Sequence, residues 1–407
     1  MFRQLSRHGK KLFVRNSKSV SWPLLLVWMI WVFVVCYTRP FAVFSSGEFL
    51  GVDGTGFPNP PKRAIAIVIL AHDRIEYFEA CIKSVLNASS RDLVDIIVSM
   101  DYKPAFDSLR AMATGLDQEI MFWETADAPF FIIGHRKIGY HYRQVFKKGF
   151  IDSGYDYVVA LESDLIVSRD FIEYFLSLAH LLDPERSPRT ANTLWCISAW
   201  NDNGMKYFIL DEKKILRTDF FPGLGWMMHR STWTDTLSPI WGYFTDHYDW
   251  WLRERSELKG RDCLFPEVPR THHISTHGMN VNGKDHEWYA EMALSQQNKF
   301  SISERDLELV GSLPEYEAEL RREGVDGYRV ATFISSARIT ASDSPLIYVF
   351  SHDDSKENSY SNIAKLFHLY PTFRSSHRGL MTLVLGAEFG FSSVTLIDES
   401  QRGFWGV

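Results

Sequence analysis

Hydrophobic and polar positions divide the chain into stretches of different character. Residues 19–38 carry no charge, and WPLLLVWMIWVFVVCY within them is almost wholly apolar. A helix of this length reaches roughly 30 Å, one bilayer crossing. Residues 39–62 show no sustained period and contain a Pro-Asn-Pro-Pro cluster, which suits a short tether. Beyond them, strand-length apolar runs alternate with helical stretches: AIAIVIL (64–70), EYFEACIKSVL (76–86), DIIVSMD (95–101), IGYHYRQVFKKGFI (138–151), YVVALESD (157–164) and FIEYFLSLAHLL (171–182). Short β-branched runs separated by amphipathic helices predict an α/β fold with a mainly parallel sheet covered on both faces. Residues 304–407 hold a charged helical stretch, then PLIYVFSH, SNIAKLFHLY, LMTLVLG and SVTLID, which predict a smaller α+β region packed on the first. No internal repeat is read. The expected organisation is a tail (1–18), a membrane helix (19–38), a stem (39–62), a main domain (63–303) and the C-terminal region (304–407).

Charge orients the apolar run. Arg3, Arg7, Lys10, Lys11, Arg15 and Lys18 precede it with no acidic residue, and only Arg39 follows closely. The positive-inside rule then keeps the N-terminus cytoplasmic and puts the remainder across the membrane, a single-pass type II arrangement. The competing reading is a cleaved signal peptide, but the run is long and no A-x-A site follows it. Asn87-Ala88-Ser89 is a glycosylation sequon open to use in that compartment. The formal charge of −6 hides an asymmetry: residues 1–39 hold seven of the 44 basic residues and none of the 50 acidic ones. A distinctly acidic remainder argues against nucleic acid as a partner. With 45% hydrophobic and 14% aromatic residues, the chain is not a disordered one.

Three polar clusters fall at the predicted carboxyl ends of strands, where open α/β sheets bind ligands. They are His72-Asp73-Arg74, Asp101 and Glu162-Ser163-Asp164. Glu162 and Asp164 point to one side if the strand continues, and hard carboxylate oxygens suit Mn²⁺ or Mg²⁺ on a diphosphate. The bland alternative is a pair of solvated strand-end acids. Arg74 suits bidentate phosphate binding, against a surface pair with Asp73 or Glu76. His141 is open to a ligand role or a structural hydrogen bond. In DFFPGLGWMMH (219–229) the turn around Leu224 allows close backbone approach, and in DHYDWWLRE (246–254) Asp249 sits beside Tyr248, Trp250 and Trp251. Partly dry surroundings would favour Asp249 as a proton acceptor, whereas an ion pair would be its ordinary role. Neither a G-x-G-x-x-G nor a P-loop occurs, which removes the usual dinucleotide and nucleotide-hydrolase devices.

ILAHDR (69–74), IIVSMD (96–101), HYR (141–143), LESDL (161–165), LWCISAWNDNG (194–204), RTDFFPGLGW (217–226), DWWLR (249–253) and GRDCLFPEVPRT (260–271) occur in this order. Together they resemble the Golgi β-1,2-N-acetylglucosaminyltransferases typified by N-acetylglucosaminyltransferase I, with weaker likeness through SNIAKLF and HRGLMTLVL. The resemblance implies a nucleotide-diphospho-sugar transferase (GT-A type) mixed sheet, an inverting reaction, UDP-GlcNAc as donor and Mn²⁺, or Mg²⁺, as cofactor. It implies that Asp101 and His141 hold uracil, Arg74 the diphosphate, Asp164 the metal and Glu162 the GlcNAc, with Asp249 as catalytic base. Ser163, Leu224, Tyr248 and Thr276 are its further substrate contacts.

The chain departs from the family pattern at Ser163, where an Asp is usual, at Thr276, where a serine is typical, and in a shorter loop after Thr271. Cys196 and Cys263 fall where the family has a disulfide, while the partners of a second one are here His72 and Tyr102. The resemblance therefore implies a Cys196–Cys263 bond, a buried free Cys81 and a membrane-embedded Cys36. The expected function is GlcNAc transfer in β-1,2 linkage to the α-1,3-linked mannose of an N-glycan, in the Golgi lumen, with the bilayer as a further partner. The alternatives are transfer to O-linked mannose and an inactive lectin-like descendant.

Overall fold

The strand IAIVILA, β1 (Ile65–Ala71), is buried along its whole length, and its alternate side chains enter different cores. Ile65, Ile67 and Ile69 pack on one face with the helices α1 (Ile75–Leu86), α2 (Phe106–Leu116) and α4 (Phe171–Leu178). Ala66, Val68 and Leu70 pack on the other, under α3 (His135–Lys147) and a tryptophan-rich layer. This is why the strand reads as a continuous apolar run: both of its faces are covered. In this computed structural model the described residues are 63–407, apart from 126–127, 131, 209, 243–244, 277–287, 327–328, 332–345 and 386–392. The predicted tail, membrane helix and stem lie outside them. No helix among the described residues is long and apolar enough to cross a membrane.

β1, β2 (Asp95–Met100), β3 (Met121–Glu124) and β4 (Tyr157–Glu162) run parallel, in spatial order β3-β2-β1-β4. After β5 (Leu165–Val167) come β6 (Leu194–Ser198), β7 (Ile215–Thr218), β8 (Trp226–His229) and β9 (Asp262–Pro266). They extend the sheet to eight strands in the order β4-β8-β6-β9-β7. β8 is antiparallel to both β4 and β6, and β7 is antiparallel to β9, so the whole sheet is mixed with helices on both faces. The expected parallel order holds throughout β3-β2-β1-β4, and in the second half for β6 and β9 alone. β7 and β8 span four residues each, too short to give a period of their own.

β10 (Thr271–His273) pairs antiparallel with β5, bringing His273 beside Leu165. A second sheet of four strands follows: β11 (Arg329–Ala331), β12 (Leu346–Phe350), β13 (Leu380–Val384) and β14 (Ser393–Asp398), ordered β11-β12-β14-β13. Its buried face joins Trp200, Met205, Phe208 and Met292 of the main body in one core. Cys196 and Cys263 face each other across β6 and β9 and are disulfide-bonded, closing a separation of 67 residues. Cys81 is a buried free thiol, and burial pushes its pKa far up, which makes it inert. Asn87 of the sequon is exposed at the C-terminus of α1.

Candidate active site

β1, β2 and β4 end together because they are parallel and in register. Leu70 lies opposite both Ser99 and Glu162. β1 has its sequence-adjacent partner β2 on one side and β4 on the other, so the edge between β1 and β4 is where the strand order reverses and a crevice opens. A cavity of about 570 Å³ lies there, a size suited to a nucleotide-sized ligand. Arg74, Asp101, His141, Glu162, Ser163 and Asp164 all line it. α3 is its roof. Gly139 lets that roof close, since a Cβ at this position would fall 2.7 Å from the carbonyl oxygen of Thr245.

At one end, Asp101 is held between two histidines. Its Oδ1 is 2.7 Å from His72 Nδ1 and its Oδ2 is 3.4 Å from His141 Nδ1, while His141 Nε2 lies 2.8 Å from Ser99 Oγ. Burial works against the Asp101 carboxylate, but the His72 hydrogen bond and the two histidine charges hold its pKa below the ordinary value. The same bond outweighs partial burial and raises the pKa of His72, whereas burial lowers that of His141. Both ring nitrogens of His141 thus meet protein atoms. The rings of His72 and Tyr102 lie 4.7 Å apart, so the pair expected in place of a second disulfide is in contact.

At the other end, Arg74 Nη2 donates to Asp164 Oδ2 at 2.7 Å and Nη1 donates to Ser275 Oγ at 2.8 Å. Arg74 therefore pairs across the crevice, not with Asp73 or Glu76. His273 Nε2 is 3.7 Å from the same Asp164 oxygen. Asp164 Oδ1 is buried with no hydrogen-bond partner, an orphan that a cation would satisfy. No group of three or more His, Cys, Asp or Glu able to hold an ion occurs among the described residues. Asp164 Oδ1 is thus the described carboxylate oxygen that would hold a hard divalent ion, which would need other oxygen donors besides it.

β4 stops at Glu162, and Ser163 and Asp164 form a turn, so the two acids do not share a continued strand face. Tyr142 donates to Glu162 Oε1 at 2.7 Å and Tyr248 donates to the same oxygen at 3.1 Å, the two tyrosine rings being stacked at 4.0 Å. Burial, then the Asp164 charge, raises the Glu162 pKa to about 7 against the two tyrosine hydrogen bonds, with Asp249 adding to the rise.

Asp249 is partly buried, and it also makes the ion pair that is its ordinary role. It accepts from Arg253 Nη1 at 2.8 Å on Oδ2, one turn along α5 (Tyr248–Arg253), and its side chain keeps 30% of its exposure. A pair at i and i+4 is what the local sequence of this short helix favours. Leu224 does not line the cavity. It has φ +49° between Gly223 and Gly225, and its carbonyl accepts from Thr271 Oγ1 at 2.8 Å beside the end of β4. Thr276 meets Tyr77, Oγ1 to hydroxyl 3.2 Å, at the rim, while the neighbouring Ser275 holds Arg74. The shortened loop, between Thr271 and Thr276, carries His273 and Ser275, and the residues after it, 277–287, lie outside the described residues. Ser275, His273, Tyr142 and Arg253 are site residues that the sequence does not single out by itself. Only Tyr142 and Arg253 carried a signal, lying inside motifs already singled out.

Residues 57–313 match the family model described as GNT-I family, and the chain belongs to that family. The alpha-1,3-mannosyl-glycoprotein 2-beta-N-acetylglucosaminyltransferase of Arabidopsis thaliana is 35% identical over 222 residues, covering 53% of this chain and 48% of that protein. The chain thus spans about half the length of this curated relative. Among solved structures, S. aureus TarS 1-349 in complex with UDP-GlcNAc gives a TM-score of 0.36 at 10% identity, over 54% of this chain and 61% of that one. The mannosyltransferase PcManGT from Pyrobaculum calidifontis, in complex with GDP-Man and Mn²⁺, gives 0.30 at 13%, over 52% and 53%. Superpositions this weak say nothing about the site.

Proposed function

We propose that this chain is an inverting, metal-assisted GT-A type glycosyltransferase. It moves GlcNAc from UDP-GlcNAc to the 2-hydroxyl of an α-1,3-linked mannose on an N-glycan, from the lumenal side of the Golgi membrane. The observation that carries this reading is the cavity at the strand-order reversal, lined by an arginine, an orphaned carboxylate oxygen and a histidine-clamped aspartate. Asp101, fixed by His72 and His141, offers its carboxylate to the N–H of uracil. Arg74 swings its donors from Asp164 to the diphosphate, an exchange of one anion for another. Asp164 Oδ1 is the atom that would hold the ion, and a divalent ion supplies charge neutralisation on the departing diphosphate. Glu162, oriented by Tyr142 and Tyr248, faces the GlcNAc hydroxyls. Asp249, held by Arg253 through Oδ2, takes the proton of the mannose 2-hydroxyl on Oδ1 as that oxygen bonds to the anomeric carbon and the bond to UDP breaks. One displacement turns an α-linked donor into a β-linked product.

A second reading, a sugar-binding descendant without transferase activity, is favoured by one observation: Asp164 and Asp249 are each engaged by an arginine. One experiment decides between them. Purified protein, UDP-GlcNAc, Mn²⁺ and a five-mannose N-glycan should release UDP and yield a β-1,2-linked product, and a chelator should abolish both. Asp249→Asn should lower turnover by about a thousandfold or more with UDP affinity kept, the scale of losing an essential base. Unchanged turnover in that variant rejects the base, and glycan binding without UDP release in the wild type favours the second reading.

A further inference from the structure

Asp249 does not stand alone on its helix. Trp250, the next residue, is 50% exposed. Behind it runs an alternating stack of rings and guanidinium groups. Arg253 lies 5.4 Å from the Trp250 ring and 4.5 Å from Phe220. Arg374, from the C-terminal region, lies 5.4 Å from Phe220 and 3.9 Å from Tyr370. Trp288 and Tyr289 continue the row to His273, which stacks on Tyr289 at 4.6 Å and stands 3.7 Å from Asp164. The stack thus begins at the candidate base and ends at the candidate metal carboxylate. It joins elements far apart in sequence, and none of Trp250, Phe220, Arg253, Arg374 or Tyr370 lines the donor cavity.

We propose that Trp250 and the stack behind it are the acceptor-sugar subsite, taking a neutral mannosyl ring; this rests on the transferase reading above. An exposed indole face suits the apolar C–H face of a pyranose, and guanidinium donors at its border suit the ring hydroxyls. Arg253 and Arg374 already donate to Phe221, Asp249, Thr372 and Asp202, so the stack is fixed before any sugar binds and Trp250 loses little freedom on binding. Asp249 shares Arg253 with Trp250, which puts the candidate base at the edge of a sugar lying on that indole. A neutral ring is the occupant because the arginine charges are already answered, Arg253 by Asp249 and Arg374 by Asp202 at 3.4 Å.

The test is calorimetric titration of the full-length protein with a five-mannose N-glycan, using wild type, Trp250→Ala and Trp250→Phe, with UDP-GlcNAc titrated in parallel. Trp250→Ala is expected to weaken glycan affinity by about five-fold or more, and Trp250→Phe by about two-fold or less, since stacking follows the ring. UDP-GlcNAc affinity and melting temperature are expected to stay within error in both. Glycan affinity unchanged in Trp250→Ala, or no glycan binding by the wild type, overturns the subsite. If glycan binding depends on Trp250 but no transfer is detected, the subsite stands and the transferase reading falls. If transfer occurs with an unaltered acceptor KM in Trp250→Ala, the transferase reading stands and the subsite falls.

Discussion

The two sheets repeat one local pattern and put it to different use. β1 runs into Ala71-His72-Asp73-Arg74 and then α1, and its parallel neighbour β2 is followed by Asp101. β12 runs into Ser351-His352-Asp353-Asp354 and then a helix, Tyr360–Phe367, and its parallel neighbour β14 ends on Asp398. Each pair closes with a histidine–aspartate bond, 2.7 Å for His72–Asp101 and 2.9 Å for His352–Asp398. The difference lies in the second carboxylate oxygen. That of Asp101 faces His141, carried by the roof helix α3, whereas that of Asp398 accepts from Ser400 N in its own turn. Asp354 also stands where Arg74 would be. A His-Asp strand end therefore becomes a candidate nucleotide site only when a third element covers it and a cation is present.

The comparison can be broken most forcefully at the cation. Arg74→Ala should weaken UDP-GlcNAc binding by about 100-fold, the scale of losing charge-assisted hydrogen bonds, while Asp354→Ala should change nothing. A comparable loss from Asp354→Ala, read by calorimetry, would mean that the small sheet also binds donor. Next in size is the pair Asp101→Asn and Asp398→Asn. The first should raise the Kd for UDP about ten-fold through the loss of a charged acceptor, and the second should leave it within error. Equal effects would remove the distinction between a covered and an uncovered edge.

The smallest effect concerns pH. His72 has a raised pKa in the folded protein, so its contribution to stability is full below the ordinary histidine value of 6.5 and is lost as pH rises through the raised value. Melting curves of His72→Gln against wild type should differ most near pH 5.5 and converge towards pH 8. His72 is half exposed, so solvent screening keeps the effect small. A difference that grows with pH would contradict the assigned sign.

The apolar runs 64–70, 95–101 and 157–164 predict strands, and strands form over Ile65–Ala71, Asp95–Met100 and Tyr157–Glu162, because burial on both faces leaves an unbroken hydrophobic signature. The main helices were placed to within a turn, although the one expected over 138–151 begins at His135 and passes into a wider turn after Lys147. The short antiparallel strands β7 and β8 were missed, since four residues carry no period. The pattern shared by β1 and β12 is not legible as a repeat, because three residues shared between segments of different length do not register as one.

By itself, the sequence determined that polar residues cluster at the ends of parallel strands, which residue types they are, and that they stand in the order shared by the GNT-I family. Those follow from local patterning, which the chain carries residue by residue. Tertiary structure alone decided their partners. It paired Arg74 with Asp164 across 90 residues, hung Ser275 and His273 beside them, clamped Asp101 between two histidines, and decided that Asp249 is paired with Arg253. Such contacts depend on which strand ends lie side by side and which helix roofs them, and a one-dimensional pattern fixes neither.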